Sequence, residues 1–293
     1  MQKLFTTDYD DTYNDLRKNG YTIIDFLEEE QIEQLKNIYS SQKTTIDNST
    51  FNGIHMTTWM KEKETKYLIK NQLEAAIHSA CDKLFEHYKK LNTVFIIKNK
   101  HKISNFPLHQ DWSFVDETKE SALNIWIALQ DTTIKNGGLY IIKGSHKLRN
   151  KIRGAGKLSF DFEAYRKELS SYLSPVLLKA GQAVIFYYSC IHGSPANQTN
   201  EPRIIVATTI VPEDAVLQIH YYDENENILK KYLMNDNFTY EYNDIRLESV
   251  IQEPKGKLVN NDINYMPVHI TLEEIKAVAV PYKINLFRKL LMR

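Results

Sequence analysis

The chain has 293 residues, of which 42% are hydrophobic and 25% are charged, and its formal net charge is zero. This is the composition of an ordinary globular protein, without the basic excess of a nucleic-acid-binding surface. No apolar segment resembles a signal peptide or a membrane span, so we expect a cytoplasmic protein that binds neither membranes nor nucleic acid. Two cysteines, Cys81 and Cys190, do not make a disulfide framework, and we expect both to be reduced.

The first 92 residues are predicted to form a mainly helical support. Gly20 is placed to end a first helix, because glycine commonly follows the last helical turn. A short β-rich run follows, and then a helix over residues 28–40 with acidic side chains in its first turn, where the helix dipole favours them. The most regular apolar stripe covers residues 66–90 and predicts one long helix.

The polar segment 41–65 lies between these helices and is predicted to be a loop. Three of its residues, His55, Met56 and Trp59, either line a pocket or pack the loop against the rest of the fold. Packing of the loop against the rest of the fold is the favoured interpretation.

From Thr93 onward the hydrophobic pattern predicts strands. In the run 122–129, side chains alternate between two faces, so Asn124 and Trp126 are expected to look into the fold while the aliphatic residues pack outward. Asn136-Gly137-Gly138 is a strong hairpin signal. A further strand is predicted over residues 204–211.

The C-terminal part, residues 213–293, has a less regular pattern. Residues 251–268 are predicted to be loop, residues 272–280 a short helix, and the tail 287–293 an amphipathic turn. No internal repeat or low-complexity linker divides the chain. We therefore predict one domain over residues 1–293, with helical support at 1–92, a β core at 93–212 and a C-terminal extension at 213–293.

The motif that suggests chemistry is His109-Gln110-Asp111. In a strand, residues i and i+2 point to the same face, so the imidazole and the carboxylate are expected to project into one cavity. With the distant His192 they would complete a 2-His-1-carboxylate set, which holds Fe(II) and leaves coordination positions open. Arg203 could bind a carboxylate through a two-pronged, charge-assisted pair. A His-x-Asp pair on its own also suits a polar strand end.

Several segments together resemble the phytanoyl-CoA dioxygenase family of Fe(II)/2-oxoglutarate oxygenases. They occur in family order and near family spacing over roughly residues 94–212, and residues 20–27 extend the resemblance. The matching segments are 107–112, 123–129, 136–142, 144–147, 180–186, 192–197 and 202–203. Where the family usually has Pro-Gly-Ser-His, this chain has Lys143-Gly144-Ser145-His146.

The resemblance implies a mainly β fold with flanking α-helices, built on a double-stranded β-helix (a cupin-like jelly roll). It implies that His109, Asp111 and His192 hold Fe(II), with 2-oxoglutarate as cosubstrate and O2 as oxidant. Arg203 and Ser194 would bind the far carboxylate of 2-oxoglutarate.

Three other residues are carried over less directly. Trp126 is expected near the cosubstrate, although a core tryptophan would look the same. Lys98 or Asn99 is expected to touch 2-oxoglutarate, with the strand register left open. His146 is expected to be structural.

The implied activity is oxidation of an unactivated C–H bond in a small metabolite, such as an amino-acid derivative or a natural-product intermediate of secondary metabolism, with release of succinate and CO2. Asp111 favours hydroxylation, desaturation or cyclisation over halogenation, because related halogenases lack that carboxylate. Alternatives are an acyl-CoA 2-hydroxylase, a metal-binding jelly roll without oxygenase activity, and an inactive scaffold. We expect a monomer or a weak homodimer.

Overall fold

The computed structural model describes residues 4–47, 52–154, 158, 161–241, 253–263 and 265–282. The helices of these segments are α1 (Asp10–Asn19), α2 (Glu29–Asp47), α3 (Lys63–Ala76), α4 (His78–Leu84), α5 (Phe238–Glu241) and α6 (Leu272–Val278). The strands are β1 (Tyr21–Asp25), β2 (Ile54–Met56), β3 (Tyr88–Lys98), β4 (Phe106–His109), β5 (Leu123–Ala128), β6 (Tyr140–Ile142), β7 (Leu173–Pro175), β8 (Gln182–Tyr187), β9 (His192–Ser194), β10 (Arg203–Pro212), β11 (Gln218–Asp223), β12 (Ile228–Leu233) and β13 (Lys257–Ile263).

Two antiparallel sheets form the core of the fold. The larger has the strand order β1-β8-β5-β10-β3-β2, and the smaller has the order β4-β9-β6-β7. Except for β2–β3 and β6–β7, neighbouring strands in both orders are not consecutive in the sequence, as in a jelly roll, where the chain alternates between two facing sheets. The predicted fold class, a double-stranded β-helix with flanking helices, is therefore confirmed.

The long helix predicted over residues 66–90 is wrong in its second half. Helix α3 ends at Ala76, and Ile77, with φ −98° and ψ 1°, separates it from α4, which ends at Leu84. His87 has a positive φ of 51°, and the chain then enters β3 at Tyr88. The start of β3 pairs with the end of β10, so long-range strand pairing outweighs the helical periodicity of this stretch.

The C-terminal extension contains a sheet that the sequence pattern did not predict. Strands β11, β12 and β13 form a separate antiparallel sheet, and β13 lies inside the stretch 251–268 that was predicted to be loop. Helix α6 confirms the short helix expected near residue 272. The predicted amphipathic tail, 287–293, lies outside the described residues.

Alternation along the large sheet determines which side chains face the interior. Asn92 and Lys98 of β3, with the residues at alternate positions between them, line a cavity between the sheets, as do Asn124 and Trp126 of β5. The inward orientation predicted for Asn124 and Trp126 is confirmed. Ile125 and Ile127, on the other face of β5, are fully buried in the main hydrophobic core. A bilayer-spanning helix, judged by length and hydropathy, is not found in the described parts of the chain.

Candidate metal centre and cavity

The small sheet brings His109 and His192 together. His109 is the last residue of β4, His192 is the first residue of β9, and the two pair directly across the antiparallel ladder. Their ring centroids are 4.3 Å apart. Asp111 follows β4, and its backbone N–H donates to the carbonyl of Tyr188 at 3.1 Å, which holds the loop against the end of β8.

The three side chains meet at a single point inside the cavity. His109 Nε2 lies 3.6 Å from Asp111 Oδ1, and His192 Nε2 lies 3.9 Å from Asp111 Oδ2. One possible ligand atom from each residue can be chosen so that all three lie within 4.8 Å of one another. Two imidazoles and a carboxylate at this spacing are a donor set suited to a divalent metal with open coordination positions.

The other nitrogen of each imidazole faces a backbone carbonyl. His109 Nδ1 lies 2.8 Å from the carbonyl oxygen of Pro107, and His192 Nδ1 lies 3.1 Å from that of Cys190. In the neutral tautomer that donates from Nδ1, each Nε2 has its lone pair directed at the meeting point. Metal-binding histidines are typically oriented in this way, so the residues present fit a metal ion.

A buried ion pair supports the main chain at Asp111. Arg153 is fully buried; its Nε donates to the carbonyl oxygen of Asp111 at 2.8 Å, and its Nη2 lies 2.5 Å from Glu117 Oε2. Ser113 Oγ donates to the same Glu117 oxygen at 3.0 Å. The insertion after β6 is thereby attached to the loop that carries Asp111.

Two basic residues lie side by side at one end of the same cavity. Lys98 and Arg203 are directly opposite each other in the β3–β10 ladder, and both are almost completely buried. Lys98 Nζ donates to Ser194 Oγ at 2.5 Å and to the carbonyl oxygen of Pro195 at 2.8 Å. Burial, and then the neighbouring Arg203, lower the pKa of Lys98 to about 6.

Arg203 is only partly satisfied. Its Nη1 donates to the carbonyl oxygen of Gly137 at 2.8 Å, and its guanidinium carbon lies 4.9 Å from the centre of the Trp126 ring, while its buried Nε has no hydrogen-bond partner. Burial lowers the pKa of Arg203 to about 9. Within the part of the chain that the structure describes, no carboxylate pairs with either base. Each base disfavours a positive charge on the other, so the pair favours an anion between them.

Gly137 contributes to this end of the cavity, but the hairpin predicted here is wrong, because β5 and β6 belong to different sheets and the turn connects the two sheets. Gly137 has a φ of 87°, and a Cβ placed on it would lie 2.6 Å from Lys98 Cδ. A larger residue would therefore strain the turn and displace the lysine side chain.

A model of the phytanoyl-CoA dioxygenase family matches residues 16–205. The chain belongs to the phytanoyl-CoA dioxygenase family. A curated phytanoyl-CoA dioxygenase from Arabidopsis thaliana is 36% identical over 109 residues, which are 36% of this chain and 38% of that protein. Phytanoyl-CoA dioxygenase 1 from Oryza sativa subsp. japonica is 31% identical over 106 residues, 35% of this chain and 37% of that protein. The matches thus span well under two thirds of these relatives.

Solved structures share the fold at low sequence identity. The epimerase SnoN, solved with Fe3+, alpha ketoglutarate and nogalamycin RO, superimposes with a TM-score of 0.53 at 14% identity, covering 87% of this chain and 96% of SnoN. AviO1 from Streptomyces viridochromogenes gives a TM-score of 0.51 at 17% identity, covering 72% of this chain and 97% of AviO1. Both support the jelly-roll fold that the family implies.

Of the remaining site residues expected from the sequence, three line the cavity and one does not. Ser194 and Trp126 line the cavity beside Arg203. Of Lys98 and Asn99, between which the sequence did not decide, Lys98 points into the cavity. Asn99 lies one position further, just after β3, where its backbone N–H donates to the carbonyl of Gly53, and it does not line the cavity. The two-residue period of the strand explains why only one of the neighbours enters.

The segment 41–65, predicted to be loop, contains the end of α2, the strand β2 and the start of α3, and the side chains of β2 alternate between two faces. Met56 and Trp59 line the cavity, whereas His55, one residue from Met56, is buried on the opposite face of β2. His146 is not among the residues that line the cavity: its ring stacks on Tyr187, and its Nε2 lies 3.0 Å from the carbonyl oxygen of Arg17. The structural role expected for His146 agrees with this position.

Sequence reasoning assigned no role to two residues that the structure places at the site. Asn124 Nδ2 donates to Asp111 Oδ2 at 3.4 Å, so its amide touches the carboxylate of the triad. The alternation of side chains along β5 already predicted that Asn124 points inward, and this could have identified it as a site residue. Arg153 lies in an insertion with several basic residues, and nothing in the sequence distinguishes it from its solvated neighbours.

Proposed function

We propose that the protein is an Fe(II)- and 2-oxoglutarate-dependent dioxygenase that oxidises an unactivated C–H bond of a small metabolite. The observation that carries this proposal is one cavity holding both the His109–Asp111–His192 cluster and the Lys98–Arg203 pair. A metal-binding jelly roll of another class would not need two buried bases beside the metal ligands.

In this proposal, His109, Asp111 and His192 hold the iron through two Nε2 atoms and a carboxylate oxygen. When bound, Fe(II) together with 2-oxoglutarate and O2 supplies the oxidation of the C–H bond, with release of succinate and CO2. The family membership and the donor set support this cofactor pair.

The chain's own residues orient the cosubstrate. Arg203 offers its unpartnered Nε to the far carboxylate of 2-oxoglutarate, Lys98 offers its ammonium, and Ser194 offers its hydroxyl. Charge-assisted hydrogen bonds from a planar guanidinium fix both position and orientation of a carboxylate. Trp126 covers one face of that guanidinium and keeps water from it.

The test is an anaerobic titration of the metal-free protein with Fe(II) and then with 2-oxoglutarate. We expect a visible charge-transfer band, characteristic of the iron chelate, that saturates at one equivalent of each. The Arg203→Met variant should need a much higher concentration of 2-oxoglutarate. Iron binding without a band would contradict the proposal and leave a metal-binding jelly roll of another class.

A further inference from the structure

The cavity continues well beyond the proposed iron and 2-oxoglutarate positions. Along β3 it extends from Lys98 to Asn92, and along β10 from Arg203 to Thr209. Because a strand rises about 3.3 Å per residue, the two ends are roughly 20 Å apart. We call the end near Asn92 and Thr209 the distal compartment.

The distal compartment is bounded by three aromatic rings in contact. Phe114 meets Tyr188 edge-on at 5.5 Å and meets Phe238 at 4.9 Å with an interplanar angle of 86°. Trp59, from the segment after β2, and Ile219, from β11, also line the cavity. Such walls bury an apolar ligand favourably without forming hydrogen bonds to it.

Charged side chains are absent from this compartment among the described lining residues. Apart from the triad, the described lining residues with charged side chains are Lys98 and Arg203, and both lie at the opposite end. An ammonium or carboxylate group placed in the distal compartment would lose its hydration without gaining a partner of opposite charge. The compartment therefore disfavours ionised ligands.

Most hydroxyl groups of the distal compartment already have a hydroxyl partner. Tyr188 and Thr209 pair with each other, and Thr208 pairs with Thr93, which lies outside the cavity lining. Two buried polar atoms are left without a hydrogen-bond partner: Asn124 Oδ1, beside the triad, and Thr239 Oγ1, on α5. The amide oxygen accepts and the hydroxyl can donate or accept, so both suit a neutral hydroxyl or N–H group.

We propose that the distal compartment is the substrate site and that it takes an uncharged, largely apolar molecule carrying a hydroxyl or N–H group. This inference rests on the proposed function, since it assumes that 2-oxoglutarate occupies the Lys98–Arg203 end. It selects natural-product-like neutral compounds over free amino acids.

Residues that lie beyond the family match determine this specificity. Ile219, Phe238 and Thr239 belong to the extension after residue 205, where the family model ends, yet they line the cavity. Strand β11 and helix α5 thus supply part of the wall of the substrate site.

The test uses a matched probe series on protein loaded anaerobically with Fe(II) and saturating 2-oxoglutarate, which blocks the basic end. The probes are cyclohexylmethanol, methylcyclohexane, cyclohexanecarboxylate and cyclohexylmethylammonium. Binding is followed by tryptophan fluorescence, because all three tryptophans, Trp59, Trp112 and Trp126, line the cavity. The chelate band is recorded first. Its absence would contradict the proposed function, whereas an intact band with the wrong order of probe affinities would contradict only the proposal for the substrate site.

We expect saturable binding of the alcohol, with both ionic probes at least tenfold weaker and the hydrocarbon in between. Thr239→Asp should invert the order, so that the ammonium probe binds more tightly than the alcohol, whereas the uncharged control Thr239→Asn should keep the original order. A carboxylate or ammonium probe that binds wild type as tightly as the alcohol overturns the inference. So does an alcohol that gives no saturable change while the chelate band is intact.

Discussion

The two ends of the cavity differ in both chemistry and origin. The end containing His109, Asp111 and Arg203 is built from charged residues within the stretch that matches the family model. The end containing Ile219 and Phe238 is apolar, and the extension beyond the match supplies one part of its wall.

This difference indicates a division of tasks. Binding a metal ion and a dicarboxylate requires particular donor atoms at fixed positions, because buried charges must be compensated. An apolar wall has no such requirement, and many combinations of side chains of suitable volume would serve. The charged end is therefore expected to determine the reaction and the apolar end to determine the substrate.

The largest effect on the charged end is expected from Asp111→Ala. Loss of a direct ligand should lower metal affinity by more than the ~10–100-fold typical of outer-shell changes and should abolish turnover. Metal stoichiometry measured after dialysis checks the prediction. His146→Ala is the control and should retain one metal per chain, since that ring lies against Arg17 and Tyr187. An active Asp111→Ala protein would refute the metal site.

Arg203→Met is expected to have the next largest effect. Removing one partner of a buried charge pair typically costs about 2–5 kcal/mol, and here the cost should appear as weaker 2-oxoglutarate binding. Methionine keeps the unbranched apolar stem and removes the guanidinium that lies over Trp126. The charge-transfer band, titrated with 2-oxoglutarate, measures the change. Unchanged affinity would place the carboxylate elsewhere.

Arg153 offers a smaller and more indirect test of the charged end. Arg153→Met should weaken Co(II) binding about 10–100-fold, as expected for a residue that positions a ligand through its backbone. The variant also leaves Glu117 unpaired, so stability will fall. The double variant with Glu117→Gln should recover thermal stability but not metal affinity. Recovery of both would assign the ion pair a purely structural role.

The smallest effect is a dependence of cosubstrate binding on pH. The pKa of Lys98 is lowered to about 6 in the free protein, so above pH 6 the amine must take up a proton when it pairs with a carboxylate. The affinity for 2-oxoglutarate should therefore decrease as pH rises from 6 to 8. Calorimetry in buffers of different ionisation enthalpy should detect the uptake. Lys98→Met should bind less tightly and lose the pH dependence; a wild-type protein without proton uptake would contradict this role.

The sequence predicted the charged end better than the apolar end for physical reasons. His109 and Asp111 are two residues apart on an extended segment, so their common orientation follows from strand geometry alone. Lys98 and Asn99 could not be separated until the β3–β10 register was known. The distal wall depends on long-range packing of β11 and α5, and the helical pattern over residues 66–90 failed where β3 pairs with β10. Local periodicity carries no information about such contacts.

The most direct test of the division of tasks compares Arg203→Met with Phe238→Ala in two binding assays. One assay titrates the charge-transfer band with 2-oxoglutarate, and the other titrates the loaded protein with cyclohexylmethanol. We expect Arg203→Met to weaken only 2-oxoglutarate binding and Phe238→Ala to weaken only alcohol binding. Leu217→Ala, in the same hydrophobic cluster as Phe238 but away from the cavity, should change neither. If both variants weakened both ligands to the same degree, the two ends would not act separately and the account would be wrong.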